Sequence, residues 1–277
     1  MSISFAHGCE ECVASSGRRL RYYDVGSGSL PVVLLHGLFG SPANWLPVMH
    51  GLAEVYRFLA LQLPIEPGAE RRHATFQSIA QLTEHVTDFL DEMALERAVV
   101  CGNSLGGQVA LDLYMQQPER VEALVLSGSA GLFERGLSGG KTWRVCREFI
   151  REQACQIFYD PVHVDGVLVD DVYSMLSDRE YRRFMLKVAK ATRDRFPLDK
   201  LAKVEVPTMV IWGRDDVITP PFVAEQFSSS IPNTKLLFID RCGHAPPIER
   251  PAEFARHLHD FLADLPTRRN GLPCKPR

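Results

Sequence analysis

The chain lacks any apolar stretch approaching the length of a bilayer-spanning helix, so no membrane span is expected. Its first residues, Met1-Ser2-Ile3-Ser4-Phe5-Ala6-His7-Gly8, show neither the basic start nor the apolar run of a secretory signal, and a cytoplasmic location is the expectation. An excess of one charge is missing too. Lys and Arg number 31 against 34 Asp and Glu, and a formal net charge of -3 offers no basic surface for nucleic acid. Disulfide order is absent: the 7 cysteines, at 9, 12, 101, 146, 155, 242 and 274, are odd in number and scattered, as expected of reduced thiols. Cys9-Glu10-Glu11-Cys12 is the single C-x-x-C, and with only His7 nearby it reads as structural rather than as a metal or redox site. No internal repeat marks a solenoid or propeller.

What remains is a 277-residue chain of ordinary globular composition, long enough for one large α/β domain. Arg19 to Val25 alternates in part and ends at Gly26-Ser27-Gly28, the pattern of a half-exposed antiparallel strand. Pro31 to Leu35, Tyr56 to Leu61, 98–101, Val121 to Leu126, Pro207 to Trp212 and 236–239 are apolar runs of the kind that strands covered on both faces show. Helical spacing occupies Phe76 to Met93, Leu105 to about Gln116 (stopped by Pro118), Pro221 to Phe227 and Pro251 to Leu265. Strands alternating with helices predict a mostly parallel, doubly wound α/β sheet. Residues 132–200 break the rhythm with three helical stretches, Lys141 to Phe158, Asp170 to Leu176 and Arg179 to Thr192. They read as a helical lid inserted at the edge of the sheet where such folds bind ligands, dividing the chain into a core of 1–131 and 201–277 and an insertion of 132–200.

One stretch organises the chemistry. Val99-Val100-Cys101-Gly102-Asn103-Ser104-Leu105-Gly106-Gly107 joins an apolar strand to a helix through G-x-S-x-G, the turn that exposes a serine nucleophile. Glycine flanks permit the sharp turn, and the helix start aims free N–H groups and a positive dipole end beside Ser104. A serine hydroxyl needs a base, and the base an orienting acid, expected in the order acid then histidine, each after a strand. His244, in Gly243-His244-Ala245, fills the first role. Two adjacent aspartates compete for the second: Asp216 is favoured, Asp215 is read as a capping residue, and Glu249 as a rival that pairs with a surface cation. The oxyanion hole takes its backbone N–H groups from Leu105 and Leu38, in the loop His36-Gly37-Leu38-Phe39-Gly40.

Remaining signals are weaker. Phe39, Asn44, Trp45, Asn103 and Trp143 are pocket candidates, although Asn44 and Trp45 read equally well as the start of a packed helix. Ser138 to Lys141 matches S-x-x-K without companion motifs and is taken as chance, and Arg193 and Arg195 read as a solvated face rather than a carboxylate site. The aromatics Trp143, Phe149, Phe158, Tyr173, Tyr181 and Phe184 recur at roughly helical spacing, most of them as core between lid and sheet, and their number suggests an apolar acyl or aromatic substrate.

From about residue 18 to 265 the chain resembles the α/β-hydrolase fold superfamily. The likeness is carried by His36 to Gly40, Gly102 to Gly107, Trp212 to Pro220 and Gly243-His244. It implies a sheet of about eight strands with an inserted cap, and its pattern of glycine, two residues, aspartate, three residues and proline picks Asp216 as the acid. A serine at the elbow separates the chain from the epoxide hydrolases and haloalkane dehalogenases of that superfamily, which use aspartate there. Meta-cleavage product hydrolases share the Gly-Asn-Ser-x-Gly-Gly elbow but usually carry a proline in the oxyanion loop and an aromatic after the histidine, where this chain has Leu38-Phe39 and Ala245. The menaquinone-pathway synthase resembles His36 to Trp45 but has an arginine where this chain has Gln108. The expectation is a cofactor-free, metal-free serine hydrolase of a small-to-medium apolar ester or related acyl compound, monomeric or homodimeric. The alternatives are a C–C bond hydrolase of the meta-cleavage type and a ligand-binding receptor with little turnover.

Overall fold

Successive apolar residues along Pro31–Leu35 (β3), Arg57–Leu61 (β4), Ala98–Asn103 (β5), Val121–Ser127 (β6) and Thr208–Gly213 (β7) are buried almost without break, because helices cover both faces of the sheet they form. In a computed structural model describing residues 8–68, 78–135, 145–193 and 196–266, these strands join Glu10–Val13 (β1), Arg19–Val25 (β2) and Thr234–Ile239 (β8) in one 8-stranded sheet. Its order is β1-β2-β4-β3-β5-β6-β7-β8, with β2 antiparallel to both neighbours and β3 to β8 parallel. The chain reverses its direction of strand addition between β3 and β5, which opens a crevice at their C-terminal ends. The register levels those ends: Leu35 lies opposite Gly102, Asn103 opposite Ser127, and Gly213 opposite Ile239.

The pleat sorts the core into two layers. Val33, Leu35, Leu59, Leu61 and Val100 face Ala80–Glu92 (α2), Leu105–Gln116 (α3) and Pro221–Ser230 (α8). Val32, Leu34, Phe58, Val99 and Cys101 face Leu46–Leu52 (α1) and Pro251–Ala263 (α10). Helix α10 is held by Phe254, Leu258, Phe261 and Leu262, and truncating the fully buried Phe254 to Ala is expected to cost about 3–5 kcal/mol.

Between β6 and β7 run Arg147–Ile157 (α4), Gly166–Ser177 (α5), Arg179–Ala191 (α6) and the short Leu198–Leu201 (α7), with no strand among the described residues there. Asp165 and Asp178 start α5 and α6 by accepting N–H bonds from Leu168 at 2.8 Å and Glu180 at 2.7 Å. Tyr181, Phe184, Met185 and Val188 of α6 join the first layer, while Ile150, Ala154, Val164 and Val169 form a separate small core.

Strand β1 was not anticipated. Only four residues long, with exposed glutamates, it shows no alternation to read, and it forms by pairing with β2 at the sheet edge. It also explains the C-x-x-C: Cys9 packs on the second layer and Cys12 on the first, so the two thiols lie on opposite faces. Among the described residues no group of three or more His, Cys, Asp or Glu side chains is placed to hold a metal, and no helix is long and apolar enough to cross a membrane.

Candidate active site

Strand β5 must turn into α3 within one residue, and Ser104 makes that turn with φ 54° and ψ -117°. A non-glycine residue there is strained and is kept so by its surroundings. A Cβ on Gly102 would come within 2.2 Å of the Gly106 backbone, and one on Gly106 within 2.2 Å of the Leu35 carbonyl. Main-chain bonds complete the clamp: Ser104 N–H donates to Ser127 O at 2.9 Å, and Ser104 O accepts from Gly107 at 3.0 Å and Ala130 at 3.1 Å. Serine in the N-cap position commonly caps its own helix, but the Ser104 hydroxyl makes no such bond. It lies 2.9 Å from His244 Nε2.

The other imidazole nitrogen, Nδ1, is 2.8 Å from Asp216 Oδ2. A carboxylate can only accept, so Nδ1 carries the proton and Nε2 presents its lone pair to the serine. Burial disfavours a charged imidazolium, but the charge and hydrogen bond of Asp216, with smaller contributions from Glu134 and Glu249, hold the His244 pKa above the ordinary histidine value. Of the two adjacent aspartates, Asp216 is buried at the imidazole and Asp215 is exposed. Asp216 is itself anchored: Oδ1 accepts from Ile218 N–H at 2.8 Å and Thr219 N–H at 2.9 Å, and Oδ2 from the Thr219 hydroxyl at 2.8 Å.

Thr219 was missed from the sequence. Fully buried, it sets its Oγ1 3.2 Å from His244 Nδ1, and its carbonyl accepts the Trp212 indole N–H at 2.7 Å. The spacing Asp216-Val217-Ile218-Thr219 before Pro220 was the available signal, since an aspartate readily accepts backbone N–H bonds two and three residues on.

Other candidates fall in different places. Asn103, at the end of β5, is a brace: its Nδ2 donates to Ser127 O at 3.0 Å and to His244 O at 3.1 Å. Asn44 accepts the Ser41 N–H at 2.8 Å and so closes the loop after Gly40. Trp45 is corrected from pocket to core: it packs against Phe254 in the second layer, to which no residue of α4–α6 contributes. Phe39 takes φ 57° in a turn closed by Gly40 N–H to Gly37 O at 3.0 Å, and with Leu38 packs against the first layer. Trp143, Ser138, Lys141 and Arg195 lie outside the described residues, and Arg193 is exposed. Glu249 is also corrected, from a surface ion pair to a buried carboxylate that accepts backbone N–H bonds from Gly243 at 2.9 Å and Tyr159 at 2.7 Å.

The loop of Leu38 is pinned from below. His36 is buried, its Nδ1–H donating to Gly37 O at 2.8 Å and its Nε2 accepting the Leu63 N–H at 3.0 Å. Burial pushes its pKa down to about 4, so it stays neutral and keeps that tautomer. A Cβ on Gly37 would lie 3.2 Å from Ser104 Cβ, which sets this loop directly against the Ser104 turn.

Comparison with known proteins agrees with this arrangement of strands and loops. The sequence model of the Alpha/beta hydrolase family matches residues 32–257. The 2-hydroxymuconate semialdehyde hydrolase of Pseudomonas sp. strain CF600 is 32% identical over 270 residues, covering 91% of this chain and 93% of that protein. An uncharacterized hydrolase, YugF of Bacillus subtilis strain 168, is 25% identical over 248 residues, covering 85% of this chain and 90% of its own. The structure of a meta-cleavage product hydrolase from Pseudomonas fluorescens IP01, complexed with acetates, superposes with a TM-score of 0.78 at 25% identity, over 92% of this chain and 97% of that one. The chain belongs to the alpha/beta hydrolase family.

Proposed function

We propose that this protein is a cofactor-independent serine hydrolase in which Ser104 is the nucleophile, His244 the general base and Asp216 the residue that orients and charge-stabilises the base. The observation that carries the reading is the unbroken relay from Ser104 Oγ to His244 Nε2 at 2.9 Å and from Nδ1 to Asp216 at 2.8 Å, mounted on a positive-φ elbow. His244 takes the hydroxyl proton as Oγ attacks the substrate carbonyl. The N–H groups of Leu38 and Leu105, the one against the elbow and the other opening α3, hold the oxyanion. Collapse expels the leaving group with the proton from His244, and a water deprotonated by His244 then releases the acid. Helices α4–α6 act as a cap over the site. The apolar character of Leu38, Phe39, Leu132, Phe133 and Phe196, all packed at the first layer, favours a small-to-medium apolar ester or acyl compound.

A second reading keeps the relay but cuts a carbon–carbon bond in a ring-fission product, and the names of relatives such as the 2-hydroxymuconate semialdehyde hydrolase favour it. Ala245 and the Leu38-Phe39 loop favour the ester. Turnover of p-nitrophenyl esters across acyl lengths, set beside loss of 2-hydroxy-6-oxo-2,4-heptadienoate absorbance, separates the two. The ester reading expects faster ester turnover that disappears in Ser104→Ala. Well-folded protein inert to every ester and active on the dienoate selects the second, and ester turnover surviving in Ser104→Ala defeats the assignment of the nucleophile.

A further inference from the structure

The loop that carries His244 is built unlike the elbow. Three successive N–H groups, those of Gly243, His244 and Ala245, lie in a buried loop and need acceptors. Two of them, Gly243 at 2.9 Å and Ala245 at 3.3 Å, are taken by one oxygen of Glu249, five residues past His244 in the short helix Pro246–Glu249 (α9). The third, the His244 N–H, donates at 2.7 Å to the carbonyl of Ile157, the last residue of α4. The second oxygen of Glu249 accepts the N–H of Tyr159, two residues beyond that carbonyl, at 2.7 Å. One buried carboxylate and one carbonyl thus join two chain segments that are some ninety residues apart in sequence. The join is close: a Cβ on Gly243 would sit 2.5 Å from Ile157 O and 2.9 Å from Tyr159 N. On its far side the His244 carbonyl is held by Asn103, the residue before the nucleophile.

We propose that Glu249 is a positioning residue that ties the loop of the base to the helical insertion, so that the seating of α4 sets the reach of His244 to Ser104. This rests on the reading of His244 as the base. Burying a carboxylate is costly unless its lone pairs are used. Here both oxygens are spent on the base's loop and on the insertion, and their three backbone N–H donors only partly offset the burial that raises the Glu249 pKa. A glutamine keeps one carbonyl oxygen but turns an N–H₂ toward donors on one side; alanine removes both acceptors. Either change leaves Ser104, Asp216 and Thr219 untouched.

The test pairs Glu249→Gln and Glu249→Ala with two readouts, p-nitrophenyl butyrate kinetics and amide hydrogen exchange of the substrate-free protein. In Glu249→Gln, kcat is expected to fall about tenfold with KM within about twofold, since base geometry rather than substrate contact is disturbed, and Glu249→Ala is expected to fall further. Exchange rises together in the segments 157–160 and 243–246. Unchanged kcat in Glu249→Gln, or exchange rising at 243–246 with 157–160 as protected as in the wild type, overturns the proposal. If Glu249→Ala does not fold, the glutamine variant and its exchange pattern still decide. His244→Asn separates the two levels: activity retained there defeats the reading of the base itself. Activity lost there and retained in Glu249→Gln defeats the tie alone.

Discussion

Ser104 and His244 meet at 2.9 Å, yet the two loops that carry them draw their support from different partners. The elbow is clamped by main chain. Glycines at 102 and 106 let backbone approach backbone, and the local bonds of Ser104 run to β6 and to its own helix. The histidine loop shares that close backbone approach at Gly213 and Gly243, and is held in addition by side chains and by a segment far away in sequence: Glu249, Asn103 and the Ile157 carbonyl. Steric clamps of the first kind are rigid and intolerant of added atoms. Hydrogen-bonded clamps of the second kind degrade in steps as acceptors are removed, each worth about 0.5–1.5 kcal/mol, with more at stake where a buried donor is left unpaired.

The largest expected break is chemical. Ser104→Ala should lower kcat by about 10⁵-fold with little change in thermal midpoint, because the methyl group leaves the backbone clamp intact. Retained stability with activity gone shows that the elbow's strain is carried by its frame rather than by the hydroxyl.

Asp216→Asn comes next, at about 10⁴-fold in kcat. It also moves the pH profile. With its pKa held up by Asp216, wild-type His244 gains its neutral, basic form only as pH rises past the ordinary midpoint of about 6.5, so the acid limb of kcat/KM lies above that value. Removing the carboxylate charge should shift the limb to lower pH, which a kcat/KM profile from pH 5 to 9 measures.

Gly106→Ala tests the steric clamp itself. With the Leu35 carbonyl 2.2 Å from the new Cβ, helix α3 must move, and urea unfolding should show a loss of about 3 kcal/mol or more. No comparable glycine rule protects Asn103. Asn103→Ala removes donors to two buried carbonyls and is expected to cost about 1–2 kcal/mol, with kcat reduced about tenfold.

The smallest effect is expected of Thr219→Val, which keeps the shape but deletes the hydroxyl between Asp216 and His244. A kcat loss of a few-fold, about 1 kcal/mol, with unchanged KM fits a group that only steadies the acid. A loss as large as that of Asp216→Asn would show instead that the hydroxyl decides the tautomer.

How much of this was legible follows from where each contact comes from. The inner parallel strands were readable because a surface buried on both faces requires apolar residues without alternation, and β3 to β7 obey that rule closely enough to mark their positions, whereas the edge strand β8 buries only Ile239. The elbow was readable because its constraint is local, with Gly102 and Gly106 each two residues from Ser104. Strand β1 was not, being stabilised by its partner rather than by any pattern of its own. Trp45 was ambiguous because a tryptophan beside a loop looks the same whichever sheet face it turns to, and packing against Phe254, two hundred residues on, settled it.

Local order thus belonged largely to the chain itself: the identities of the inner strands and their helices, the serine turn, and the order of aspartate before histidine are written in residues near one another. Tertiary structure decided the rest. It buried Asp216 against the imidazole and left Asp215 exposed, brought Thr219 to the same imidazole, and turned Glu249 from an expected surface charge into a buried acceptor. The reason is the range of the forces involved. Backbone sterics and hydrophobic periodicity act over a few residues, whereas which oxygen a buried N–H meets depends on where the sheet and the α4–α6 insertion finally come to rest.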